Sequence, residues 1–184
     1  MQPVKYLWAL RALTYKLFFS NIGKLSYIGK PLYIEGKIYI SIGDRVRIYP
    51  RIRMKAFNGG IIQIGNNLAI EQNVHIISGK GKLSIGDGTT ISANVFISNV
   101  DHEYRDVSKS VMEQQLLFKD TQIGNSCFIG YGAVILPGTI LGDHCIVGAN
   151  AVVRGSYPGN CVLAGNPAKI IKKYNLELKC WENN

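Results

Sequence analysis

Residues 123–158 read, in sixes, IGNSCF IGYGAV ILPGTI LGDHCI VGANAV VRGSYP. The first position of each six is a large aliphatic: Ile123, Ile129, Ile135, Leu141, Val147 and Val153. The fifth is small: Cys127, Ala133, Thr139, Cys145 and Ala151, with Tyr157 ending the run. A fixed internal period is the mark of a stacked-repeat architecture. Three sixes close one turn of a prism-shaped coil, with positions one and five pointing inward. Residues 18 apart then stack vertically, so Cys127 and Cys145 are expected to be neighbours in a dry core, as small hydrophobes. Position two is Gly at 43, 65, 86, 124, 130, 142 and 148. Glycine there is expected to supply corner backbone angles that other residues adopt only at a cost.

The pattern extends upstream as Ile85/Thr89, Ile91/Val95, Ile97; Ile64/Leu68, Ile70/Val74, Ile76; and Ile42/Val46, Ile48/Ile52, Met54. Small excesses at Asn58-Gly59-Gly60 and Gly79-Lys80-Gly81 read as bulging turns. The large break runs from Ile97 to Ile123, 26 residues where six would do. A long excursion from a regular solenoid is usually functional or disordered. This one carries Asp101-His102-Glu103-Tyr104-Arg105-Asp106. The organisation expected is an N-terminal helical segment 1–27, a parallel β-helix 28–167 with an excursion over 98–122, and a C-terminal helix 168–184. The last covers the open end of the coil, as solenoid caps must.

Composition agrees. The chain has 184 residues, enough for one domain. It holds 24 Ile and 12 Val, a β-branched excess that favours strands. With 47% hydrophobic residues, disorder is excluded. The four cysteines form no C-x-x-C pair, which argues against a zinc site or disulfide framework and for a reducing, cytoplasmic setting. The net charge of +9 is uneven: residues 1–55 hold 11 Lys/Arg against Glu35 and Asp44, while residues 56–184 balance at 10 of each sign. A basic end suits an anionic neighbour such as a membrane surface or a phosphate-bearing glycan precursor; it also suits solubility alone. The stretch Tyr6–Phe19 is interrupted by Arg11 and Lys16 and is too short to span a bilayer. It reads as a helix, apolar nearly all round, that either docks on the coil or a partner subunit or lies at a membrane interface.

Three histidines are present. His144 falls at a coil corner. His75 points outward on a stripe with Phe96, Val134 and Val152, which suits a subunit interface. His102 enters the excursion between Asp101 and Glu103, and loops on rigid scaffolds are where catalytic groups concentrate. Asp101 or Glu103 could orient it only weakly, since adjacent residues rarely point the same way. The outward apolar set Phe96, Phe128, Val134, Ile140, Ile146 and Val152 predicts an oligomer.

This hexapeptide repeat, with ISANVFISNVDHEYRD over 91–106 and VGANAVV and VLAGNPAKIIK downstream, resembles the left-handed β-helix acyltransferases. Within them it is similar to sugar O-acetyltransferases of the galactoside, maltose and lipopolysaccharide type. Handedness comes from that resemblance, because the general rule for parallel crossovers gives the opposite hand. The resemblance implies an all-β left-handed coil, a homotrimer with sites built between subunits, and acetyl-CoA as cosubstrate with no metal. His102 matches the general base. Gly148 and Ala149 match backbone along the pantetheine arm; Lys169 and Lys172 match basic groups near the nucleotide phosphates. Arg154 and Tyr131 match further coenzyme A positions, and Phe128 matches an acceptor-lining aromatic. Glu71, with Asn73 two residues on, stands where the galactoside branch keeps a sugar-contacting asparagine. The acceptor is therefore not expected to be a free galactoside, and the basic start is closer to surface-polysaccharide acetyltransferases. Transfer to an amino-sugar amine stays open. A γ-type carbonic anhydrase is rejected, since its three zinc histidines do not fit His75, His102 and His144. A non-enzymatic polyanion-binding module is the remoter alternative; nucleic acid is not expected, because Tyr15, Tyr27, Tyr33, Tyr39 and Tyr49 fall within the apolar periodicity.

Overall fold

The computed structural model describes residues 3–183. Among them the chain winds as a parallel β-helix with three faces. The first face stacks seven strands, from Asn21–Ile22 to Ser156–Tyr157. The second begins at Tyr27–Ile28 and its parallel run ends at Cys161–Ala164; the third runs from Tyr33–Glu35 to Val152–Val153. Strands pair in register, so Ile42 lies over Ile64, Ile64 over Ile85, and Ile85 over Ile123 across the excursion. From Ile42 to Val153 the aliphatics of position one and the residues of position five are all buried, while Ile34 in the first coil is half-buried. Ser26, Thr89 and Thr139 fill some fifth positions, and their hydroxyls donate to Gly43, Gly124 and Val153 carbonyls, which removes the cost of burying them. Cys127 and Cys145 are buried as expected, and Cys161 extends the column, with Cys145 and Cys161 sulfurs 3.6 Å apart. The hydrogen bond from Cys127 and burial both push the Cys145 thiol up, keeping it protonated.

The corners differ from expectation. None of the glycines at position two has a positive φ; the left-handed residues sit at position four, among them Arg45, Asn67, Asn94, Ser126, His144 and Asn150. Short polar side chains tolerate that region best. Position two is glycine because the coils approach there: a Cβ on Gly142 would lie 2.4 Å from the Gly159 nitrogen, and one on Gly43 2.4 Å from the Gly65 oxygen. Position three completes the corner. Asp44, Asn66, Asp87, Asn125 and Asp143 each accept the amide N–H one coil below, at 2.7–2.9 Å. Each rung satisfies an amide the sheets cannot reach.

The coil starts at Asn21 rather than at residue 28, so the segment 1–27 is not all helical: the helix is Val4–Tyr15. Its Ala12, with Phe19 beyond it, joins the core at the coil's open end, and Trp8 packs on Tyr27 and Tyr49. At the other end the described residues 168–183 form no helix, and residue 184 of the expected segment lies outside them. Lys169–Asn175 returns antiparallel on Cys161–Ala164, and Cys180–Asn183 pairs on it in turn. The last coil exposes an unpaired strand edge, and Ile170-Ile171 suit a strand that satisfies it.

Candidate active site

Beyond the strand Phe96–Ser98 the chain leaves the coil. Buried Asn99 forms the neck: its side-chain oxygen accepts the Gly79 N–H at 2.7 Å and its carbonyl accepts the Lys119 N–H at 2.9 Å. Val100–His102 then pairs antiparallel with Leu116–Phe118, placing His102 opposite Leu116. The tip is internally tied. Asp106 receives the Ser108 hydroxyl at 2.6 Å and the Lys109 ammonium at 3.1 Å, and Ser110 and Glu113 cap the 3-10 turn Val111–Glu113. The excursion is thus a built hairpin rather than a loose loop.

His102 is exposed and separates two depressions. One is polar, lined by Asp101, Glu103, Tyr104, Arg105, Lys119 and Arg154 among others, with a volume near 380 Å³. The other, near 400 Å³, is mainly apolar, with Phe57, Ile77, Phe96, Val100 and Leu116 beside Lys55. Neither adjacent carboxylate orients the imidazole. Asp101 accepts from the Arg154 guanidinium at 2.9 Å and from the His102 backbone N–H at 3.0 Å. Glu103 is held by the Arg105 guanidinium, which with backbone N–H bonds lowers its carboxyl to about 2. Among the described residues no side chain hydrogen-bonds the imidazole, so the ring is free to meet a substrate or a second chain.

Arg154 is the one cofactor candidate brought to His102, and the ion pair with Asp101 is a link that sequence spacing does not reveal. The others lie at the opposite edge of the third face or beyond. Glu71, Asn73, Tyr131, Gly148 and Ala149 occupy the corner between second and third faces, at the start of the strands whose far ends lead to His102 and Arg154. At this corner Asn73 accepts from Arg53 at 2.9 Å and donates to Asn94, which donates to the Tyr131 hydroxyl. Asn73 is therefore engaged in a structural ladder, while Glu71 stands half-buried at a glycine-type position. Phe128 projects from the second face with 42% exposure. Lys169 and Lys172 are exposed on the C-terminal hairpin. His75 packs edge-on against Phe96, ring centres 5.5 Å apart. Burial, then the nearby Arg53 charge, pulls it below the ordinary histidine range. Among the described residues no group of three or more His, Cys, Asp or Glu is placed to hold a metal.

A family model described as bacterial transferase hexapeptide (six repeats) matches residues 120–155. WbbJ of Escherichia coli, named as a lipopolysaccharide biosynthesis O-acetyl transferase, is 37% identical over 174 residues, covering 91% of this chain and 87% of WbbJ. A dTDP-4-amino-4,6-dideoxy-D-glucose acyltransferase of Escherichia coli is 31% identical over 170 residues, covering 87% and 85%. Among solved structures, a mutant of AntD, an N-acyltransferase from Bacillus cereus in complex with dTDP and coenzyme A, matches with TM-score 0.78 at 21% identity, covering 90% of each chain. The repeat, the excursion and these relatives converge: the chain belongs to the hexapeptide-repeat, left-handed β-helix acyltransferases, and is an acyltransferase of the sugar acetyltransferase type.

Proposed function

We propose that the protein transfers an acetyl group from acetyl-CoA to a hydroxyl of a sugar in surface-polysaccharide assembly, with His102 as general base. The observation that carries this reading is the placement of His102. It is held by a rigid hairpin at the coil edge, unbonded at its ring, in a chain 37% identical to WbbJ. The imidazole takes the hydroxyl proton as the oxygen attacks the thioester carbonyl. The tetrahedral adduct then expels the coenzyme A thiolate, which recovers the proton from the imidazolium. Such proton transfer contributes ~10²–10⁴-fold, and alignment of the two substrates supplies much of the rest.

His102 and Arg154 lie at one edge of the third face, and Tyr131, Gly148 and Ala149 lie at the other, so one chain alone holds two half-sites. Side-by-side association brings the excursion of one copy to the Gly148–Ala149 corner of the next, and three copies close the ring. This supports a homotrimer with intersubunit sites.

The test is coenzyme A release against hexoses, amino sugars and nucleotide-linked sugars, with His102→Ala as control. Turnover on a hydroxyl acceptor that vanishes in the variant supports the reading. The 31% identical acyltransferase acts, by its name, on an amino sugar, which favours N-acetylation as the second reading. Turnover confined to the amino sugars selects it. Full activity of His102→Ala on the preferred acceptor removes the base assignment under either.

A further inference from the structure

The N-terminal helix is apolar nearly all round, yet the coil covers only one side of it. Trp8, Ala12 and Tyr15 turn toward the body, with Trp8 against Tyr27 and Tyr49. The opposite side is bare: Leu7, Leu10 and Leu13 are 58–62% exposed, and Leu17 and Phe18 continue the strip at 83% and 56%. A contiguous apolar strip of this kind on a soluble surface marks a docking site.

Its surroundings decide the occupant. Lys16 follows the helix, and Lys37 lies over the Tyr15 and Phe18 rings at 5.2 and 5.7 Å. Lys24 and Arg45 stack on one corner of the first two coils, Lys30 and Arg51 on another, and those four side chains are exposed. Eleven cations against two acids lie in residues 1–55, whereas the remaining residues are neutral. A second copy of this end would set cations against cations, which disfavours self-docking. A leucine strip with Lys16 and Lys37 beside it, at the basic end of the chain, matches the boundary of an anionic bilayer, where acyl chains take the apolar strip and head groups pair with the cations. We infer that the helix strip Leu7–Phe18 docks the protein peripherally on an anionic lipid surface. The inference is independent of the acyl-transfer reading.

The test is co-sedimentation of the full chain with vesicles of pure phosphatidylcholine and of phosphatidylcholine with about 30% phosphatidylglycerol. Binding to the anionic vesicles is expected to exceed that to neutral ones at least tenfold and to weaken severalfold in ~0.5 M salt. Leu10→Ser/Leu13→Ser leaves Trp8 and Ala12 in place. It is expected to lose at least ~10-fold in vesicle binding while keeping its thermal midpoint and its mass by light scattering. Absence of anionic-vesicle binding by the wild-type chain overturns the inference. So does unchanged binding by the double variant. A fall in the double variant's oligomeric mass also overturns it, because that assigns the strip to another copy.

Discussion

His102 and His75 divide the roles open to a histidine on this scaffold. His102→Ala is expected to lower kcat by ~10²–10⁴-fold with coenzyme A affinity and oligomer mass unchanged, measured by steady-state kinetics and calorimetry. His75 is held neutral by burial and by Arg53. Its folded pKa lies below the unfolded reference of ~6.5, so the unfolded chain binds more protons and stability is lost as pH falls through that value. The thermal midpoint should drop between about pH 7.5 and pH 5.5, and by less in His75→Phe, which keeps the contact with Phe96 and removes the titration. A single residue in a repeat is legible when the repeat fixes its direction. The outward stripe of His75 is legible because its strand has a two-residue alternation. The partner of Asp101 was not legible, because Arg154 reaches it across 53 residues of chain.

At the scale of elements, the inward positions could be read from the sixes alone because burying aliphatics tolerates no slip of register. The reason for each corner glycine could not. Composition marks where glycine occurs, whereas the distance to the next coil decides whether it is there for φ or for space. Gly142→Ala is expected to cost ~1–3 kcal/mol by crowding Gly159, seen as a lower midpoint in thermal melts. The C-terminal strands are not legible for a related reason: a lysine-rich stretch after Pro167 carries no strong period, and the open edge of the last coil dictates its strand. That hairpin presents Lys169 and Lys172 on one exposed element. Changing both to Ala should raise KM for acetyl-CoA and flatten its salt dependence, and dephospho-coenzyme A should lose its disadvantage relative to coenzyme A. Unaltered discrimination between the two cofactors in the double variant would remove these lysines from the phosphate site.

At the scale of the whole molecule, the proposed intersubunit site divides its residues between two copies, and mixing experiments test that. Co-assembled His102→Ala and Gly148→Asp chains should recover a fraction of wild-type turnover, because some interfaces then pair an intact hairpin with an intact corner. Each variant alone should stay inactive. Light scattering at micromolar concentration should give three times the chain mass; a monomer mass would defeat the arrangement.

Ile85 rests on Ile123 as though nothing lay between them. The scaffold therefore treats the whole excursion as a single long closure, and closure entropy grows only as the logarithm of length, with each doubling costing ~0.6 kcal/mol. Asn99 and Lys119 form a neck where one hairpin can be exchanged for another without disturbing a rung of the coil. Chemistry and architecture can then change at different rates. The coil keeps its selection for register, while the segment bearing the proposed base is free to be lengthened, re-aimed or retuned from an oxygen acceptor to a nitrogen one. A lineage built this way acquires new acceptors by replacing a cassette, and its solenoid stays as it was.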